Sequence, residues 1–107
     1  MNDIEMELRR GLTQIAVLAL AGVETYGYDL AKRMGEKGFP VEEGTLYPLM
    51  RRLEERGLLQ SNWNTEGPRP RKYYRTTEDG RRTLAELKVI WDQYNCVVGE
   101  IIEEGLS

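Results

Sequence analysis

Apolar positions along this chain recur at helical spacing in several stretches and switch to short strand-like runs in the middle. Ile4, Leu8, Leu12, Ile15, Leu18 and Val23 fall near one another at a period of 3.6, with Arg10 and Gln14 outside. The spacing predicts a first helix over residues 4–22, ended by Gly22 and the Val-Glu-Thr that follows. Thr25 reads as the N-cap of a second helix from about Gly27 to Glu36, and Gly35 and Gly38 stop it. Phe39-Pro40 then forces an extended connection, because a residue before proline is pushed out of the helical region. Leu46, Leu49, Met50 and Leu53 mark a third helix, closed by Gly57.

Residues 58–64 and 71–76 carry β-formers, Trp63, Tyr73 and Tyr74 among them, around the intervening TEGPRP. This is the signature of a hairpin with a long tip. Tyr73 and Tyr74 point to opposite faces of their strand, so one is expected in the core and the other outside. Thr77 caps a final helix, and Glu78 and Asp79 in its first turn complement the helix dipole.

The final helix, over residues 78–104, would be roughly 40 Å long, more than the core available can cover. Leu84, Leu87, Trp91, Tyr94, Val98 and Ile101 follow the 3, 4, 3, 4, 3 steps of a coiled-coil seam, and Ile90 and Val97 widen the stripe. A second copy of the chain is the natural place to bury it. The competing reading has the stripe cover the first helix of its own chain, and both hold if the helices interlock across a dimer. Trp91 and Tyr94 are seam residues first, with contact to a small-molecule effector as their second reading. Cys96 falls at the f position, away from the seam.

The third helix poses a question of its own. Its core side is Leu46, Leu49, Met50 and Leu53, so Thr45, Pro48, Arg51 and Glu55 lie opposite, with Tyr47 and Arg52 flanking them. A proline several positions into a helix removes one backbone bond and crowds the carbonyl four residues back. Either the regular helix begins at Pro48 after an irregular turn, or a helix starting near Glu43 bends at Gly44 and presents Thr45 and Tyr47 at its open end. The residues alone leave both open. Glu54 and Glu55 read as a solvated face, and Tyr26 and Tyr28, flanking Gly27, as packing residues.

Composition narrows the function. The 107 residues are enough for one domain, and 31% charged with 40% hydrophobic residues is the balance of a folded chain. The longest apolar run, residues 15–21, is far short of the roughly 20 residues that cross a bilayer, and no signal peptide is visible. A cytoplasmic protein without membrane association is expected. With no histidine and a single cysteine there is no internal disulfide, no metal set and no Ser-His or Cys-His arrangement. Neither an enzyme nor a cofactor is expected.

The net charge of −3 conceals an uneven distribution. Residues 67–82 hold Arg69, Arg71, Lys72, Arg75, Arg81 and Arg82 against Glu78 and Asp79. Residues 83–107 hold Lys88 against Glu86, Asp92, Glu100, Glu103 and Glu104, and Asp3, Glu5 and Glu7 add acid at the other end. A surface so divided can bind a phosphate backbone on one side while the total stays negative.

Helix, helix, helix, hairpin is the order of a winged helix-turn-helix, whose third helix enters the major groove while the hairpin touches the neighbouring backbone. The expected fold is mainly α with a small β-hairpin: a winged helix-turn-helix DNA-binding domain over 1–76 and a long C-terminal dimerisation helix over 77–107. Thr45, Tyr47, Arg51 and Arg52 would then face DNA from the helix, and Arg69 from the hairpin tip.

The segments YGYDL, GTLYPLMRRLEERGLL and GPRPRKYYRTTEDG, in this order, resemble the PadR-type transcriptional regulators over nearly the whole chain. The single C-terminal helix resembles the short branch of that family. The resemblance implies dimeric winged-helix repressors, a recognition helix continuous through Pro48, and backbone contacts by Arg71, Lys72 and Tyr73 of the wing. The expected function is a homodimeric repressor on an inverted-repeat operator in double-stranded DNA, released by a small molecule or another signal. The alternative is a winged-helix protein-interaction module, which the arginines of the helix and wing count against.

Overall fold

The structure, a computed structural model, describes residues 3–107. Its elements are α1 (Asp3–Leu20), β1 (Thr25–Tyr26), α2 (Gly27–Glu36), α3 (Glu43–Glu55), β2 (Leu59–Asn64), β3 (Arg71–Thr76) and α4 (Glu78–Leu106). The three strands form an antiparallel sheet in the order β1-β3-β2. The hairpin expected from sequence is therefore widened by a two-residue strand, Thr25–Tyr26, too short to show as a pattern.

The core is assembled from Val17, Leu18 and Ala21, Leu30 and Met34 of α2, Leu46, Leu49, Met50 and Leu53 of α3, and Leu58, Leu59 and Tyr74 of the hairpin. The inner face read for α3 is thus buried as expected. That of α1 is not. Ile4 and Leu8 are exposed, Val23 lies beyond the helix end and is exposed too, and the buried positions are Thr13, Val17, Leu18 and Ala21. The N-terminal turns of α1 reach past the core, and Ile4, Met6 and Leu8 stay exposed there.

Local chemistry sets the boundaries. Tyr26, not Thr25, is the N-cap of α2, and its side chain makes no capping bond; Thr25 is instead buried in β1. Gly57, at φ +78°, ends α3. Its amide donates to the Glu54 carbonyl and the Leu58 amide to that of Leu53, closing the helix with Leu58 folded into the core beside Leu53. Thr77 caps α4 as expected, its Oγ1 accepting from the Gly80 amide at 2.9 Å.

The proline question has a definite outcome: α3 runs unbroken from Glu43 to Glu55 with Pro48 inside it. The Thr45 and Leu46 amides both donate to the Glu42 carbonyl, so the helix is already formed before the proline. The carbonyl that Pro48 leaves without its helical partner is that of Gly44, in the exposed first turn, where water can take the lost bond.

The hairpin root is tied to the end of α1. Thr76 is buried; its amide donates to the Ala21 carbonyl at 2.8 Å and its hydroxyl to that of Leu18 at 2.7 Å. The Leu18 carbonyl in the last turn of α1 and the Ala21 carbonyl just past it are thereby satisfied inside the protein. From the same root α4 departs over 29 residues. Leu84 and Leu87 pack against the chain's own core, whereas Trp91, Tyr94, Val98 and Ile101 are exposed. The stripe read as one seam is thus divided. Its first turns serve the chain itself, and the remainder faces outward together with Ile90 and Val97.

Candidate nucleic-acid interface

Burying Leu46, Leu49, Met50 and Leu53 turns the other side of α3 outward, and Thr45, Arg51 and Arg52 are exposed there. Tyr47 is 38% exposed. Its ring lies across the start of α2: a Cβ added to Gly27 would come within 2.2 Å of Tyr47 Cε1 and 2.8 Å of its hydroxyl. Glycine at 27 is what allows the ring to rest there. Burial, then the Glu43 carboxylate and the Tyr74 phenol, raise the Tyr47 hydroxyl above the ordinary tyrosine value, so it stays a neutral donor and acceptor at physiological pH.

The wing stands beside this face. Asn64, Glu66, Pro68, Arg69, Arg71 and Tyr73 surround a hollow of about 190 Å³ at the hairpin tip. A second, open groove of about 340 Å³ runs between α3 and the wing, with Tyr47 and Gly27 on one wall and Trp63, Pro70, Arg71 and Lys72 on the other. Trp63, which the sequence offered only as a strand former, is 66% exposed. It stands opposite Lys72 in the strand register, so both occupy one face of the hairpin.

The tyrosines divide as the strand period requires. Tyr74 is buried, whereas Tyr73 lies on the opposite face and meets Tyr26 edge to face, ring centroids 5.5 Å apart. The Arg71 guanidinium sits 4.6 Å from the Tyr26 ring centroid. Tyr26 is thus the packing residue expected. Tyr28 is not: it projects from the first turn of α2 and is exposed.

Arg82 is paired with Glu78 and Asp79 along its own helix, and Lys72 with Glu54 across the wing at 3.4 Å. Glu54 also accepts a hydrogen bond from the Ser61 hydroxyl. It is therefore not the solvated residue its place in the RRLEER run suggested, since it joins α3 to both wing strands. No ion pair among the described residues engages Arg51, Arg52, Arg69, Arg71 or Arg75. These five arginines lie on the outer face of α3 and along the wing. No group of acidic, cysteine or histidine side chains that could hold a metal ion occurs among the described residues, and none of their helices is long and apolar enough to cross a membrane.

Three helices with a polar outer face on the third, flanked by a basic hairpin, define a winged helix-turn-helix protein. Residues 17–86 match the transcriptional regulator PadR-like family. The chain belongs to that family of transcriptional regulators, which is not an enzyme class. It is 47% identical to a PadR family transcriptional regulator from Eggerthella lenta, with a TM-score of 0.90 over 94% of this chain and 89% of that one. It is 37% identical to the transcriptional regulator Rv3488 of Mycobacterium tuberculosis over 75% of this chain and 76% of the relative. Bacillus subtilis PadR, whose crystal structure is a complex with operator DNA, is 22% identical; its TM-score is 0.67 over 73% of this chain and 46% of that one, a likeness of fold.

Proposed function

We propose that this protein is a sequence-specific, double-stranded-DNA-binding transcriptional regulator of the cytoplasm. It acts as a homodimeric repressor on an inverted-repeat operator and is released by a small molecule or another signal. The observation that carries the reading is the division of α3: its apolar face is buried while Thr45, Arg51 and Arg52 stay exposed beside a wing whose arginines have no acidic partner among the described residues. In this reading α3 enters the major groove. Arg51 and Thr45 reach base edges from it, while Tyr47, Arg52, Arg69, Arg71 and Tyr73 take positions along the backbone. Trp63 and Pro70 form the apolar wall of the groove that a strand would follow.

Two copies would join through the outer half of α4. Trp91, Tyr94, Val98 and Ile101 are exposed along one stripe of it, and Ile4 and Leu8 of α1 are exposed as well. Interlocking these surfaces removes both from water, which favours association by about 25 cal/mol per Å² of apolar area covered. Residues 1–76 then serve as the DNA-binding part and 77–107 as the dimerisation helix, with Leu84 and Leu87 supporting both. Trp91 and Tyr94 supply the aromatic surface against which an apolar effector could settle between the copies.

Selection of duplexes from a random-sequence pool with the purified protein, followed by salt titration of the enriched DNA, tests the reading. An inverted repeat should emerge and bind about a thousandfold more tightly than random duplex. Arg71→Ala should make the plot of log affinity against log salt shallower by about 0.9 per subunit. If no duplex is enriched and affinity is indifferent to salt, the protein-interaction reading replaces this one.

A further inference from the structure

Glu54 lies in the last turn of α3, where it is half-buried, and its carboxylate meets both strands of the wing. Ser61 of β2 donates to one oxygen, and the Lys72 ammonium of β3 lies 3.4 Å from the other. Lys72 is held from a further side, its Nζ lying 5.3 Å from the Tyr74 ring centroid. Ser61 pairs with Tyr74 and Trp63 with Lys72, so all four share the hairpin face turned toward α3. Burial lowers the Lys72 ammonium, but hydrogen bonding and charge from Tyr74, and then Glu54, outweigh it and leave the group above the ordinary lysine value. The lysine is charged, and its charge is already answered.

The position of this contact along the wing matters. The third strand supports β3 only as far as Tyr73, which pairs with Tyr26. Beyond that point toward the tip, the hairpin touches the body of the protein through Arg71, stacked on Tyr26 on the outer face, and through Lys72 on the inner one. Of these two neighbours, Arg71 keeps an uncompensated charge. Lys72 offers a phosphate a charge already partly balanced by a carboxylate.

We propose that Glu54 and Lys72 form a brace between the recognition helix and the wing, fixing the wing's distance and angle, and that Lys72 serves DNA binding by positioning rather than by touching phosphate. The link to DNA rests on the function proposed above; the brace itself is a property of the free protein. Its loss would leave the hairpin held at its root by Thr76, by the pairing of β3 with β1 as far as Tyr73 and by Arg71 on the outer face, with the inner face of its outer half free to move away from α3. The two docking elements would then meet DNA separately, and the ordering of one against the other would fall on binding.

Three variants test this: Glu54→Gln, Lys72→Met, and the exchange Glu54→Lys with Lys72→Glu. In the free protein, amide exchange at residues 61–64 and 71–74 should speed up about five- to tenfold in each single variant, within the range by which contacting residues couple, and return to the parent rate in the exchange. On the duplex selected by the parent, each single variant should bind about five- to tenfold more weakly with an unchanged salt slope, and the exchange should recover parent affinity. A slope shallower by about 0.9 per subunit in Lys72→Met would place the lysine on phosphate and overturn the proposal. Tighter binding by Glu54→Gln, failure of the exchange to recover affinity, or unchanged amide exchange in the single variants would overturn it equally. A parent that binds no DNA would defeat the proposed function alone, with amide exchange still deciding the brace.

Discussion

The Tyr47 ring occupies the space that a side chain at position 27 would need, closing to 2.2 Å from where its Cβ would stand. One glycine in the second helix therefore sets the pose of a tyrosine in the third. The obstructed atoms are the far end of a flexible side chain, so Gly27→Ala should swing Tyr47 away rather than unfold the protein. Its melting temperature should fall by only a few degrees, corresponding to about 1 kcal/mol. Affinity for the selected duplex should fall to the level of Tyr47→Ala, and the double variant should be no weaker than either single. Additive losses would show that the two residues act independently.

Gly80 is a different case, because the obstacle there is backbone. A Cβ at this position would lie 2.2 Å from the Leu58 carbonyl oxygen and 2.6 Å from Thr76 Cγ2. Gly80→Ala should force α4 away from the hairpin root and destabilise the fold by about 1–3 kcal/mol. Thermal or urea unfolding reads this directly, and a parent-like midpoint would mean that the root yields at little cost.

On α3, binding and folding should separate by face. Leu53 is fully buried, and Leu53→Ala should lose about 2–5 kcal/mol of stability. Arg51 is exposed, and Arg51→Ala should shift stability by no more than about 0.5 kcal/mol. The same change should narrow discrimination between selected and random duplex by about 1–3 kcal/mol if Arg51 reads a base with both guanidinium nitrogens. Uniform weakening on all DNA would assign it to phosphate instead.

Val98→Glu puts a charge into the outward half of the α4 stripe without touching the core. Sedimentation should show the parent dimeric at micromolar concentration and the variant monomeric, with a folded DNA-binding part by circular dichroism. Leu87 is a poor choice for this experiment. It packs against the chain's own core, so a charge there would confuse association with folding.

The fold was largely legible because apolar spacing and punctuation agree. The three leucines and the methionine of α3 and the α4 cap at Thr77 follow from residues a few positions apart. What escaped depends on residues far apart in sequence. Tyr47 on Gly27, Glu54 on Ser61 and Lys72, and Thr25–Tyr26 pairing with β3 are contacts that periodicity cannot carry. The stripe of α1 holds at Leu18 and fails at Ile4 and Leu8 for a related reason: a helix that outruns its core keeps its period beyond the core's edge. The exposure of the arginines on α3 and in the wing was legible as well, since it follows from the burial of their neighbours. The roles of Trp63 and Glu54 were not, because residue type alone gives an exposed tryptophan or a surface glutamate no address.

Thr77 couples the far end of the molecule to the wing. Its amide donates to the Leu58 carbonyl at 3.0 Å and its hydroxyl to that of Gly57 at 2.6 Å, pinning the start of α4 to the turn from which β2 departs. The helix is consequently a lever with its fulcrum at the hairpin root. Tilting it by about 5° carries Ile101 through about 3 Å, given the 1.5 Å rise per residue from Glu78. Read in the other direction, a sideways displacement of a few ångströms at the distal end would reach the strands that bear the arginines only by shifting Leu84 and Leu87 against the core.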